Sequence, residues 1–132
     1  MPQALRAQQL LDLSTPAARG SLAKMVIKLF SLWGLTTHDQ LELLGLSPKS
    51  RALLSRYRGG APLPDGRDSL DRVGLLMAIH KALGLLYPHN ESLRYSWVSK
   101  RNQHFANLTP LDVMKAEGIL GLYRVARYLD FL

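Results

Sequence analysis

The stretch THDQLELLGLSPKSRALLSRYRGG, residues 37–60, decides the fold. Thr37 followed by Gln40 has the spacing of a capping box, in which a hydroxyl and a carboxamide satisfy the free N–H groups at a helix start. Leu41 and Leu44 then form an inward stripe, and Gly45 suits the left-handed backbone that stops a helix. Leu46 fills the turn, Ser47 can cap the next helix, and Pro48 fits its first position, where a missing N–H costs nothing. That second helix should run to about Tyr57, before Gly59 and Gly60. Two short helices around a tight turn are the layout of a helix-turn-helix.

Upstream, Leu22, Met25, Val26, Leu29, Phe30 and Trp33 recur at three- and four-residue spacing with Lys24 and Lys28 outside, which predicts a helix from Ser21 to Gly34. Residues 1–20 show only weak periodicity, from Ala4 to Leu13, and read as a frayed lead-in. Downstream, Pro62, Pro64 and Gly66 break any helix, so residues 61–68 form a linker between a helix-turn-helix region at 21–60 and a second unit at 69–132. Ser69 to Tyr87 carries apolar residues at Leu70, Val73, Leu76, Met77, Ile79, Leu83 and Leu86. That stripe is too wide for a solvent-facing helix and predicts the central core helix. Pro88 stops it. A short helix at Glu91–Val98, a polar loop at Ser99–Leu108, a helix capped by Thr109–Pro110 and ending near Gly118, and a last helix from Ile119 complete the chain. The last helix turns Leu122, Val125, Ala126 and Leu129 inward. No strand pattern appears, so the fold class is all-α, with an N-terminal helix-turn-helix bundle followed by a compact C-terminal helical module.

The chain carries a formal charge of +7, and the excess is N-terminal: residues 1–60 hold eight Lys/Arg against three Asp/Glu, whereas 61–132 hold nine against seven. A basic first half points to an anionic partner, nucleic acid above all. Lys49, Ser50 and Arg51 stand at the N-terminal end of the second helix, where a recognition helix meets base edges. Arg56 and Arg58, with Lys49, suit phosphates. The same residues would also serve as a solvated basic face on an ordinary helical hairpin, and the motif alone does not separate the two.

Other chemistry is narrowed by what the 132 residues lack. With no cysteine there is no disulfide, thiolate zinc site or cysteine nucleophile. His38, His80, His89 and His104 have no zinc-ligand spacing, and His80 reads as a hydrogen-bonded, semi-buried core residue. No phosphate loop or nucleophile elbow is present, and Asp65, Asp68 and Asp71 fall at a helix start, where carboxylates favour the dipole. No catalytic residue, cofactor or metal is therefore expected. No apolar run reaches the roughly 18 residues that span a bilayer, which predicts a cytoplasmic protein without a membrane partner. Tyr87, Tyr95, Trp97, Phe105, Tyr123 and Tyr128 divide between core packing and a binding surface in a way composition leaves open.

From Trp33 onward the chain resembles the Xre/MbcA/ParS antitoxin family, encoded beside RES-domain toxins. The resemblance rests on LELLGLS (41–47), LSRYRG (54–59) and LDRV (70–73), and above all on Asn102, Phe105, TPLD (109–112), GLYRV (121–125) and YLD (128–130), which stand in the family's order and spacing. It implies a non-catalytic antitoxin whose C-terminal module covers the active site of an NAD-consuming toxin and whose helix-turn-helix represses its own operon. The implied partners are the cognate RES-domain toxin and operator DNA, with the chain as a homodimer or within a larger toxin–antitoxin assembly. The implied toxin-facing residues are Lys100, Arg101, Asn102, Phe105, Arg124, Arg127 and Tyr128. Two departures stand out. Tyr57 replaces the family's usual Trp, and Ala106–Asn107 replaces a Gly pair after the Phe. Because the chain stops soon after YLD, the loop Lys100–Thr109 becomes the expected blocking element. A stand-alone regulator with a C-terminal dimerisation module is the alternative reading, and a small enzyme a distant third.

Overall fold

The computed structural model describes residues 12–132, so most of the weakly periodic Ala4–Leu13 segment lies outside the described residues. These residues form seven α-helices and no β-strand: α1 (Pro16–Leu32), α2 (Thr37–Leu43), α3 (Arg51–Arg58), α4 (Arg67–Leu86), α5 (Glu91–Ser96), α6 (Pro110–Glu117) and α7 (Ile119–Asp130). Two 3-10 turns, Trp97–Ser99 and Gln103–Phe105, sit between α5 and α6.

Helix α1 starts at Pro16 and not at Ser21, because Thr15 caps it: the Thr15 hydroxyl accepts from the Ala18 N–H at 3.2 Å, and proline occupies the first turn. The segment just before it is tied down as well. Arg19 donates to the carbonyls of Leu13 (2.8 Å), Ser14 (2.9 Å) and Leu63 (2.9 Å), joining the start of α1 to the 61–66 segment. Gly20 is buried against the backbone just before that segment, and a Cβ there would stand 2.5 Å from the Gly60 carbonyl oxygen.

Two further boundaries shift from the sequence expectation. The capping box of α2 uses Thr36 and Asp39, one position earlier than Thr37 and Gln40. The chain after Gly45 forms an extra turn, in which Ser50 N–H donates to the Ser47 carbonyl at 2.9 Å, so α3 begins at Arg51 and not at Pro48. Ser47 still works locally, its hydroxyl accepting from the Lys49 N–H at 3.2 Å. Gly34 and Gly45 both take the left-handed backbone expected of helix stops.

Helix α4 is central, packing on α1 through one side and on α7 through another. Val73, Leu76, Ile79 and Leu83 are fully buried along it, and with Phe30, Leu43, Leu54, Leu63, Val98, Met114, Leu122 and Val125 they form one continuous core. Each such side chain stabilises the fold by about 1.5–3 kcal/mol relative to exposure. The helix-turn-helix is fastened to the C-terminal unit by a second link. Asp39 accepts from Lys115 Nζ of α6 at 2.7 Å through one oxygen and from the Thr36 N–H at 3.2 Å through the other. Burial works against the Asp39 charge, but the hydrogen bonds from Lys115 and Thr36 outweigh it and hold the carboxyl below its ordinary range. The hydrogen bond to Asp39 outweighs burial in turn and raises the Lys115 ammonium.

Candidate functional site

On α3 the buried side chains are Leu54 and Tyr57, which press the helix onto α1. Arg51, Ser55 and Arg58, at i, i+4 and i+7, make one exposed stripe, and Arg56 is exposed on its flank beside Ala52. Lys49 is exposed in the turn just ahead. Ser50 is the N-cap residue, and its hydroxyl makes no capping bond. The structure therefore gathers Lys49, Ser50 and Arg51 at one end of α3. It sets Arg56 and Arg58 at the other, roughly 10 Å along the axis at 1.5 Å per residue. None of Lys49, Arg51, Arg56 and Arg58 has an ion-pair partner among the described residues. A groove of about 830 Å³ beside this helix adds Lys24 and Lys28 of α1 to Arg58. Those two lysines were visible as the outward face of α1, but their convergence on α3 depends on how the helices pack.

The second site lies where the loop after α5 folds back on α7. Asn102 organises that loop: its side-chain oxygen accepts from the His104 N–H at 2.9 Å, and its backbone pairs with Leu108. Ala106 (φ 56°) and Asn107 (φ 64°) are both left-handed, in the place of the Gly pair noted above. This tight reversal lays the 3-10 turn Gln103–Phe105 against α7. Phe105, whose role the sequence left open between core and surface, is 3% exposed and packed edge-on against Tyr128 at 5.2 Å, with the Arg124 guanidinium 5.7 Å from its centroid. The His104 ring stacks on Tyr128 at 4.3 Å.

Above this floor opens a cleft of about 430 Å³, walled by Tyr123, Arg127, Phe131 and Leu132. Tyr123 (53% exposed), Phe131 (76%) and Leu132 (61%) are large apolar groups left facing out. Of the toxin-facing residues expected from sequence, Phe105, Arg124, Arg127 and Tyr128 meet here. Lys100 and Arg101 are exposed on the preceding loop but do not line the cleft, and Asn102 serves the turn. The cleft also takes in Tyr123, which the sequence left open between core and surface, and His104, Phe131 and Leu132, which the sequence reading did not place there. The signal for two of them was the i, i+8 placement of Tyr123 and Phe131 on a face that should have been polar.

His80 is half-buried, as expected, but its Nδ1 has no hydrogen-bond partner, and burial together with the Arg94 charge pushes its imidazole below the ordinary value. Among the described residues no three His, Asp or Glu side chains converge to hold a metal ion, and no helix is long and apolar enough to cross a membrane.

The sequence profile of the antitoxin Xre-like helix-turn-helix domain matches residues 12–78, and that of the antitoxin Xre/MbcA/ParS C-terminal toxin-binding domain matches residues 82–132. The chain belongs to the Xre/MbcA/ParS antitoxin family. It is a helix-turn-helix antitoxin with a C-terminal toxin-binding domain, and the cleft over Phe105 falls within that domain. An uncharacterized protein of Sinorhizobium fredii, y4oB, is 33% identical over 98 residues, which cover 74% of this chain and 73% of that protein. The division between the two profiles falls inside α4, so the antitoxin's two units share their central helix.

Proposed function

We propose that this antitoxin neutralises a RES-domain toxin that consumes NAD, acting in the cytoplasm, and that as a dimer it represses its own operon through α3. The observation that carries the reading is the aromatic and cationic cleft over Phe105, which lies in the region matched by the toxin-binding profile. The loop Lys100–Thr109 and α7 would cover the toxin's active site sterically, with Arg124 and Arg127 contacting its rim. On the DNA side, Arg51 and Ser50 would reach base edges while Lys49, Arg56 and Arg58 hold phosphates. The antitoxin itself performs no chemistry in this reading.

The test is co-expression with the product of the neighbouring gene. Growth rescue, co-purification and loss of NAD turnover by the captured toxin support the reading, whereas an antitoxin that captures nothing refutes it. Operator binding is measured separately on the antitoxin's own promoter fragment. With about four phosphates neutralised per protomer, the log–log salt slope should be near −3.6, and Arg56→Ala should make it shallower. Binding indifferent to salt would remove the DNA half of the proposal.

A further inference from the structure

The cleft has a chemistry more specific than a covering surface requires. Its floor is Phe105 and Tyr128, and its open side is edged by Tyr123, Phe131 and Leu132, so whatever enters meets aromatic faces first. No acidic side chain lines it. The nearby acids are Glu117, taken up by Arg124 at 2.5 Å, and Asp130, exposed on α7. Arg127 lies 5.1 Å from the Phe131 ring centroid and has no ion-pair partner among the described residues. Lys100 and Arg101 add charge of the same sign on the neighbouring loop.

We propose that this cleft seats one large apolar side chain, aromatic or branched aliphatic, projected from an acidic segment of the partner toxin. The proposal rests on the antitoxin reading above and adds the identity of what the site takes. An apolar tip gains by leaving water for the Phe105–Tyr128 floor, and flanking carboxylates meet Arg127 at the rim. A second copy of the antitoxin fits poorly, because it would bring the same unneutralised arginine to the contact. Single-stranded nucleic acid fits poorly too. It needs a track of cations along a groove, and one of the two guanidinium groups here is already held by Glu117.

The experiment places the photo-crosslinking residue p-benzoylphenylalanine at position 123, or in a control at position 85 on α4, in the antitoxin co-expressed with the neighbouring gene's product. Irradiation followed by mass spectrometry should give an adduct from position 123 only, on a toxin segment with two or more carboxylates near an aromatic or branched aliphatic residue. Arg127→Glu, with an unchanged melting temperature, should weaken toxin affinity at least about tenfold at low salt, and less at high salt. An adduct with nucleic acid, with a second antitoxin or with a basic segment overturns the proposal. So does Arg127→Glu affinity within twofold of the parent. If toxin is captured but crosslinks from position 85 alone, the proposal falls and the antitoxin reading stands. If the parent antitoxin captures no toxin, both fall.

Discussion

Replacing Phe105 by alanine separates the two roles that the sequence left open for this ring. The side chain is 3% exposed and makes edge contacts with His104 at 5.0 Å and Tyr128 at 5.2 Å. Truncating a buried phenylalanine costs about 3–5 kcal/mol, comprising lost transfer energy, the cavity left behind and the aromatic pairs. Because the ring is also the floor of an open cleft, the hole would communicate with solvent rather than stay empty. The lower end, about 3 kcal/mol, therefore applies. With an unfolding entropy of about 2.1 cal/mol/K per residue over roughly 120 residues, the melting temperature should fall by about 12 °C. Phe105→Leu keeps most of the buried apolar volume and should cost only about 1 kcal/mol. Thermal and urea denaturation of both variants in the free antitoxin give the answer, with the urea slope checked for constancy. A drop under about 3 °C for Phe105→Ala, together with lost toxin binding, would refute the buried role and restore the exposed anchor.

Ala106→Gly should stabilise the antitoxin by about 0.5 kcal/mol, since relief of the left-handed strain at φ 56° exceeds the added chain entropy, whereas Asn107 tolerates the left-handed region better than alanine does. A urea midpoint that falls would show the turn to be held differently. Gly20→Ala should cost about 1–3 kcal/mol because the new methyl meets backbone and not a side chain that can turn away, and a neutral result would mean that α1 and the Gly60 backbone separate freely. The Asp39–Lys115 pair sets two arms of a stability–pH curve. Asp39 is held below its ordinary value, so its contribution is complete above about pH 4 and is lost as pH falls through its folded value. Lys115 is held above its ordinary value, so its contribution is complete below about pH 10.4 and is lost above that. Asp39→Asn should flatten both arms and cost about 1 kcal/mol near neutrality; urea titrations with an unchanged acid arm would contradict the assigned pairing.

Sequence periodicity was enough for α4 and α7, where Val73, Leu76, Ile79 and Leu83, and Leu122, Val125 and Leu129, keep helical spacing over several turns. The start of α1 was missed because PAARGS offers almost no apolar side chain to count. Its signals were the Thr15–Pro16 cap and Gly20, whose reason lies at Gly60, forty residues away in sequence. At α2 the cap is Thr36 and not the expected Thr37, because Asp39 closes the box with it and is itself held by Lys115 of α6. Ser47–Pro48 carried a good helix-start signal that the backbone used for a turn instead. The cleft was the least legible part. Its floor and walls come from residues 104–105 and 123–132, which are apart in sequence, and the Ala106–Asn107 reversal lies between them. The resemblance supplied Phe105, Arg124, Arg127 and Tyr128 without saying that the first of these points inward.

Helix α4 belongs to both profile-matched regions, with Val73 and Leu76 on one side of the division and Leu83 on the other. A protease that cuts this helix would uncover those side chains at a stroke and leave neither fragment with a closed interior. The two halves therefore cannot be shed one at a time. Whatever clears the antitoxin would remove its helix-turn-helix and its toxin-binding domain in the same event.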